Sequence, residues 1–242
     1  MVSGMSKISV VMPCHNHAQY TEEAIQSILN QTEQDFELIL VDDGSKDNCA
    51  DILLSHRSHP RVSRIILRDK AEGTAGPPLN DGFALARGQY QTWVSNDNGY
   101  EPQMLEVLSG ILDVMPQVGF VYADFDIRDA TGQLVQERVR RSAWFPNLML
   151  TGCHTGICFM WRAALAKQVG PQLNIPAHDY DFALKMEELA PMFHVAENLG
   201  WWRNHNGTVS ANMDHQTGMN DLTKIVGDAM TRRLAKARES NG

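Results

Sequence analysis

The apolar positions change period several times along the chain, and each change marks a new element. Ile8-Ser9-Val10-Val11-Met12 has the length and β-branched content of a buried strand. Ala24, Ile25, Ile28 and Leu29 then recur at helical spacing, with Thr21 placed to cap the helix and Glu22 and Glu23 suited to its positive end. Phe36 to Val41 reads as a second strand, Asn48 to Ser55 as a short helix after Asp47, and Val62 to Leu67 as a third strand. Pro77 to Ala86 reads as a helix closed by Gly88, Tyr90 to Val94 as a strand, and Pro102 to Met115 as a helix with proline in its first turn. Strands alternating with helices predict a parallel sheet covered on both faces.

From Phe120 the rhythm alters. Val121, Tyr122 and Phe125, a turn at Asp129-Ala130-Thr131-Gly132, and then Leu134 and Val135 predict a hairpin, so the second half is mixed rather than purely parallel. A last helix is expected from Met219 to Arg238. Leu222, Ile225, Val226, Met230 and Leu234 lie on one side of it, and Lys224, Arg232, Arg233, Lys236 and Arg238 mostly elsewhere. Its expected use is docking on its own domain with a solvated basic face; a homodimer contact and a membrane-surface contact are the other uses this pattern allows.

Composition narrows the partners. A chain of 242 residues can bury roughly 70–75% of its unfolded surface, enough for one α/β core with an appendage. With 21 Lys+Arg against 29 Asp+Glu the net charge is −8, which disfavours a nucleic-acid footprint and favours a small-molecule partner. No apolar run approaches the roughly 20 residues of a transmembrane helix. Met1 to Met5 lacks the regions of a signal peptide, and the four residues before Met5 read as a cloning remnant, so cytoplasmic residence is expected. Cys14, Cys49, Cys153 and Cys158 are scattered and read as reduced thiols. Cys153, His154 and Cys158 have no second ligand pair at finger spacing, which favours a packed loop or strand over a zinc site.

The candidate chemistry lies where strands end. Gln91 to Asn98 runs from apolar residues into Ser95, Asn96, Asp97 and Asn98, and carboxylate and amide oxygens are the ligands that Mg²⁺ or Mn²⁺ prefer. The carboxyl ends of strands in open α/β sheets are also where ligands sit. Asp42 and Asp43 follow a strand and enter a Gly44-Ser45 turn, offering a carboxylate to a base or ribose. Asp179 precedes the apolar pattern Phe182, Ala183, Leu184, Met186; it can cap that helix, serve as a general base, or do both. In Trp201-Trp202-Arg203-Asn204-His205, imidazole suits Mn²⁺ and guanidinium suits phosphate.

Taken in order, five segments resemble a family 2 glycosyltransferase of the GT-A fold. They are Ser9-Val10-Val11-Met12-Pro13 with Asn16; Leu40-Val41-Asp42-Asp43-Gly44-Ser45; Asn80-Asp81-Gly82 followed by Ala86 to Tyr90; Ser95-Asn96-Asp97-Asn98; and His178-Asp179-Tyr180-Asp181. The late Trp201 to His205 segment, with Ser210, is similar to the family's aromatic-Arg-x-His stretch. The resemblance spans about residues 7 to 210. It implies a Rossmann-like, mixed, mainly parallel sheet flanked by helices, with a transferase domain over residues 6–215 and an amphipathic helical extension over 216–242.

The resemblance also implies roles. Asp43 would read the base and Asp97 would hold the metal that bridges the nucleotide diphosphate, with His205 joining it. Asp179 would be the catalytic base. Pro13, His15, Asp42, Asn96 and Arg203 complete the expected nucleotide site, His15 as a ring against the base. Trp144, His154 and His178 are the acceptor-side candidates; acceptor loops tend to vary, and Arg138 to His154 is expected to be a mobile lid or acceptor wall. The chain departs from the family at Asn96, where an acid is common, at Leu79, where an Arg near the diphosphate is common, and at His178, which replaces a Glu.

The implied activity is inverting, metal-dependent hexosyl transfer from a nucleotide-sugar donor, UDP-linked by preference, to an acceptor hydroxyl on a glycan or lipid-linked molecule. Polysaccharide or glycoconjugate synthesis, Mn²⁺ or Mg²⁺ as cofactor, and a cytoplasmic or peripheral inner-membrane location go with it. Two other classes stand beside it. A sugar-phosphate nucleotidyltransferase should carry a Gly-rich, Arg-containing loop after the first strand, where this chain has Pro13-Cys14-His15-Asn16. A non-catalytic nucleotide-sugar or partner-binding module is suggested by Asn96 and Leu79.

Overall fold

The computed structural model describes residues 6–208 and 215–240; residues 1–5 and Ser210 lie outside the described residues. The chain runs β1 (Ile8–Cys14), α1 (Ala18–Leu29), β2 (Phe36–Asp42), α2 (Cys49–Ser55), β3 (Val62–Leu67), α3 (Gly76–Leu85), β4 (Tyr90–Trp93), β5 (Gly99–Tyr100) and α4 (Met104–Val114). It continues with β6 (Phe120–Arg128), β7 (Leu134–Val139), a 3-10 turn (Leu148–Thr151), β8 (Phe159–Arg162), α5 (Ala163–Val169), α6 (His178–Glu187), β9 (Met192–Arg203) and α7 (His215–Ser240).

One sheet holds all nine strands in the order β3-β2-β1-β4-β8-β6-β9-β5, with β7 paired to β6. The β1·β2, β2·β3, β1·β4 and β6·β9 pairs are parallel. The β4·β8, β6·β8, β6·β7 and β5·β9 pairs are antiparallel. The direction therefore reverses at the edge of β4: Asp42, Asp43 and Asp97 end or follow strands on its parallel side, while Arg203 and His205 end or follow β9 on the other.

The strands bury both faces, which is why they read as apolar runs. In β1, Ile8, Val10, Met12 and Cys14 face a core with Ala24, Ile25 and Ile28 of α1 and Leu105, Leu108 and Leu112 of α4. Val11, on the other face, packs with Ile39, Val41 and Leu79 of α3. In β6, Val121 and Ala123 join the first core, while Phe120 and Tyr122 join a third with Trp161, Tyr180, Leu184, Ile225 and Ala229. Burying each such Leu, Ile, Val or Phe contributes about 1.5–3 kcal/mol, so the core clusters rather than surface pairs hold the sheet together.

Two expectations change. Thr21 does not cap α1, which starts three residues earlier with His17 at its N-cap position. Asp47 supplies the cap from another loop, accepting from Ala18 N–H at 2.8 Å through Oδ2 and from Cys49 N–H at 3.1 Å through Oδ1, so one carboxylate serves the ends of α1 and α2. Thr21 is buried and donates to the His17 carbonyl at 2.9 Å.

The second change concerns α7. It docks through Ile225 and Ala229 and through ion pairs of Arg232 with Glu188 (2.7 Å) and Arg233 with Glu187 (2.8 Å). Much of its basic side is thus turned inward, while Leu222, Met230 and Leu234 of the predicted apolar stripe are exposed. The four cysteines are free thiols, with Cys14, Cys49 and Cys158 buried.

Candidate functional site

A cavity of about 600 Å³ opens at the carboxyl ends of β1, β2 and β4. Its wall is made of Pro13 to His17, Gln19, Tyr20, Asp43, Gly73 to Ala75, Pro78, Ser95, Asn96, Ala130 and His205 to Gly207. Strand ends with neighbouring crossovers create such a crevice by topology. None of the lining residues is Lys or Arg. A diphosphate here would meet imidazoles, amides and hydroxyls rather than fixed cations.

The inner wall is built by three connected loops. Asn16, at φ 53°, accepts from Lys46 N–H through Oδ1 at 2.7 Å, which fixes its amide so that Nδ2 donates to His15 Nε2 at 2.7 Å. That leaves His15 Nδ1–H to donate to the Asp43 carbonyl at 2.9 Å. The imidazole is therefore held in one orientation beside Asp43. Asp43 itself receives Arg68 Nη1 at 2.9 Å and Glu72 N–H at 3.2 Å. Burial pushes its carboxyl above the ordinary value even though both donors oppose this. Gly44 follows at φ +66°, and a Cβ there would stand 2.7 Å from the Lys70 backbone, so the turn after Asp43 needs glycine.

Asp42 sits differently. It is 3% exposed and does not line the cavity; Oδ2 accepts from Ser45 N–H at 3.1 Å and Oδ1 is buried without a partner. Asn96 directs Nδ2 to Thr21 Oγ1 at 2.8 Å and to Cys49 Sγ at 3.7 Å. Asp97 is 5% exposed. Its Oδ2 lies 3.1 Å from His205 Nε2 and 3.5 Å from His17 Nδ1, and its Oδ1 is buried with no hydrogen-bond partner.

His17, Asp97 and His205 thus offer ligand atoms within 4.8 Å of one another. Two imidazoles and a carboxylate are a set that suits Mn²⁺, and the unpartnered Asp97 Oδ1 and His17 Nδ1 are the atoms a cation would satisfy. Gly207 N–H donates to His205 Nδ1 at 3.1 Å, which leaves the ring proton on Nε2, aimed at Asp97. A cation at Nε2 would take that proton's place, and the Gly207 contact would give way as Nδ1 becomes the protonated nitrogen. His17 had no sequence signal. It lies 80 positions from Asp97, and only adjacency of β1 and β4 makes them neighbours.

Arg203 does not reach the cavity wall. It is 1% exposed and fully engaged: its N–H donates to Asn98 Oδ1 at 2.9 Å, Nε to the Asp97 carbonyl at 3.2 Å, Nη1 to the Asp129 carbonyl at 3.3 Å and Nη2 to Glu23 at 2.6 Å. Its guanidinium also lies over the rings of Tyr20 and Trp201. It ties α1, the hairpin turn and the Asp97 turn together.

The acceptor-side candidates are not gathered in this cavity. Asp179, half-buried in the first turn of α6, accepts from Tyr180 N–H through Oδ1 at 2.8 Å. His178 is buried against Trp93 and shares a hydrogen bond with Gln172 at 2.9 Å; burial holds its pKa below the usual imidazole value. His154 pairs with Thr151, and Trp144 Nε1 donates to Glu187 at 2.9 Å beside a separate cavity of about 400 Å³. The Arg138 to His154 wall is anchored. Arg141 donates to the carbonyls of Cys153 and His154, and its backbone N–H donates to Asp124. Leu79, where relatives often carry Arg, is fully buried.

The family model for glycosyl transferase family 2 matches residues 9–168. An uncharacterised glycosyltransferase of Rickettsia typhi is 35% identical over 229 residues, covering 89% of this chain and 68% of that protein. Among solved structures, TarS of S. aureus in complex with UDP-GlcNAc aligns at TM-score 0.77 with 18% identity, over 92% of this chain and 66% of the other. A mannosyltransferase of Pyrobaculum calidifontis in complex with GDP-Man and Mn²⁺ aligns at TM-score 0.63 with 16% identity, over 83% and 57%. This chain spans about two thirds of those proteins or less. The architecture is the GT-A arrangement that the motifs implied.

Proposed function

The chain belongs to glycosyl transferase family 2, and from that premise we propose that it transfers a sugar from a nucleoside diphosphate donor, UDP-linked by preference, to an acceptor hydroxyl with inversion. The observation that carries the reading is the convergence of His15, Asp43 and His205 on one cavity at the strand ends, with Asp97 held 3.1 Å from His205. The likeness to TarS bound to UDP-GlcNAc supports a UDP donor. A divalent cation, when bound by Asp97 and His205, would neutralise charge on the departing diphosphate.

In this reading Asp43 and His15 position the base, and Asp97 with His205 presents the metal site. Asp179 takes the acceptor hydroxyl proton as the oxygen forms its bond to the anomeric carbon and the bond to diphosphate breaks on the opposite face. Trp144, His154 and His178 belong to the acceptor side. Residues 6–215 form the transferase domain and 216–242 the extension. The acceptor is a glycan or a lipid-linked hydroxyl of polysaccharide or glycoconjugate synthesis. The described residues include no helix long and apolar enough to cross a membrane.

The test measures UDP release from UDP-sugars with Mn²⁺ alongside calorimetric nucleotide binding. Asp179→Asn should keep donor binding and lose about 10²–10⁴-fold in turnover. Asp97→Ala should lose the metal-dependent part of nucleotide binding. Full turnover in both variants would overturn the assignment. A non-catalytic nucleotide-sugar binder is favoured by the burial of Leu79, which removes a cation from the cavity. Wild-type protein that binds but never releases UDP, with any acceptor offered, would establish that second reading.

A further inference from the structure

We propose that His17 is a third protein ligand of a two-histidine, one-carboxylate cation site with Asp97 and His205, and that this site selects Mn²⁺ over Mg²⁺ and takes the ion without nucleotide. The inference rests on the reading of Asp97 as the metal-bearing acid and goes beyond it in naming the ion and the residue that sets the choice.

The motif that ends β4 carries one acid, because Asn96 stands where a second is common and its amide nitrogen is committed to Thr21 and Cys49. A site with a single carboxylate binds Mg²⁺ weakly, since that ion wants oxygen ligands in a strict octahedron. His17 enters from the carboxyl end of the neighbouring parallel strand β1. It is held as the first residue before α1, and its carbonyl is fixed by the Tyr20 N–H at 2.9 Å and the Thr21 hydroxyl. Its Nδ1 is buried without a hydrogen-bond partner and faces Asp97 Oδ2 at 3.5 Å. Its ring lies edge-on to that of His205, with centroids 4.8 Å apart and planes at 87°.

Distances fit adjacent positions on one ion. With bonds of about 2.1 Å, neighbouring ligands of an octahedral ion stand roughly 3 Å apart. The Asp97–His205 and Asp97–His17 separations are 3.1 and 3.5 Å. The three ligand atoms lie within 4.8 Å of one another, and three protein ligands would leave other positions of the ion to oxygens of a diphosphate. Buried polar atoms left without partners are destabilising, so His17 Nδ1 and Asp97 Oδ1 favour occupation by something that both can bind. A cation satisfies a lone pair on nitrogen and one on oxygen together. Imidazole ligands tilt the choice to Mn²⁺.

The chelator-treated full chain is titrated with MnCl₂ in the absence of nucleotide, with free Mn²⁺ read by its EPR signal and the bound ion by electron spin-echo modulation. One ion per chain is expected, displaced by Mg²⁺ only at about tenfold or greater excess, with ¹⁴N coupling from two imidazoles. His17→Ala should weaken Mn²⁺ binding about tenfold or more and leave the coupling of one imidazole. His17→Asp, which keeps a ligand but exchanges nitrogen for oxygen, should recover affinity and narrow the Mn²⁺/Mg²⁺ ratio. Circular dichroism melts establish that both variants fold.

Wild-type protein that takes no Mn²⁺ alone, as expected if His17 and His205 serve only as cationic partners of Asp97, would overturn the proposal. So would His17→Ala with unchanged affinity and coupling. Thermal shifts with UDP- and GDP-sugars separate the two levels. If sugar nucleotides stabilise the protein while the Mn²⁺ result fails, only the role of His17 falls. If Mn²⁺ binds through two imidazoles and no sugar nucleotide stabilises the fold, the transferase reading falls.

Discussion

Two buried acids on either side of the β4 seam, Asp124 and Asp97, are held in opposite ways. On the far side Asp124, 1% exposed, is saturated: it accepts from Arg138 Nε at 2.9 Å, His194 Nε2 at 2.8 Å and Arg141 N–H at 2.7 Å. Burial pushes its carboxyl up, and the three donors outweigh burial and hold it below the usual range. On the near side Asp42, Asp97 and His17 each keep a buried side-chain atom without a partner. A saturated buried acid is a structural tie, whereas unpartnered atoms gathered at strand ends mark where a ligand completes the structure.

Exchange of the two acids tests this contrast most severely. Asp124→Ala leaves His194 and the Arg141 N–H unsatisfied and should cost about 3 kcal/mol, read as a fall in Tm of roughly 6–12 °C. Asp97→Ala should lower Tm by less, because Oδ2 gives up one His205 hydrogen bond and Oδ1 has no protein partner to lose. Equal losses in the two variants would dissolve the distinction.

A smaller effect is expected at Gly99, between the site and its backing. A Cβ there would stand 2.3 Å from Trp201 Cζ2, so Gly99→Ala should destabilise by about 1–3 kcal/mol through overpacking. A denaturant titration of the variant measures it, and an unshifted midpoint would show that the Trp201 ring yields freely.

The smallest effect concerns acid. His178 is neutral when folded, its pKa lowered by burial, so below the ordinary value of 6.5 the unfolded chain binds the extra proton first. Stability should be flat above about pH 6.5 and fall below it, by up to ~1.4 kcal/mol per pH unit for one group. His154, also lowered by burial, adds to the slope. Tm measured across that range should fall less steeply in His178→Gln than in the wild type. Parallel curves would remove His178 from this account.

What the sequence made legible follows from which forces are local. β3 falls at Val62–Leu67 as expected from its run, and the hairpin of β6 and β7 follows from its Asp129–Gly132 turn. The start of α1 was not legible, because Thr21 looks like a cap whereas the working cap, Asp47, arrives from a different loop. The docking side of α7 was legible only in part: Ile225 and Val226 of the apolar stripe pack inward, while Leu222, Met230 and Leu234 do not. Glu187 and Glu188 draw Arg232 and Arg233 inward, a pairing between distant segments that overrides part of the apolar stripe. In the site, Asp97 and His205 could be named from their neighbours in the chain, but His17 could not, since a histidine beside His15 carries no signal until β1 and β4 lie side by side.

That pairing is short. β4 meets β1 over Tyr90 to Trp93 only, opposite Ile8 to Val11. A slip of one residue along β4 would deliver Asn96 to the place of Asp97 and turn Tyr90, Gln91, Thr92 and Trp93 each to the opposite face of the sheet. What pins the frame is Thr92, whose hydroxyl donates to the Phe159 carbonyl at 2.6 Å and meets Tyr100 Oη at 2.9 Å. A single threonine, itself carrying no charge, thus helps to set whether His205 faces a carboxylate or an amide.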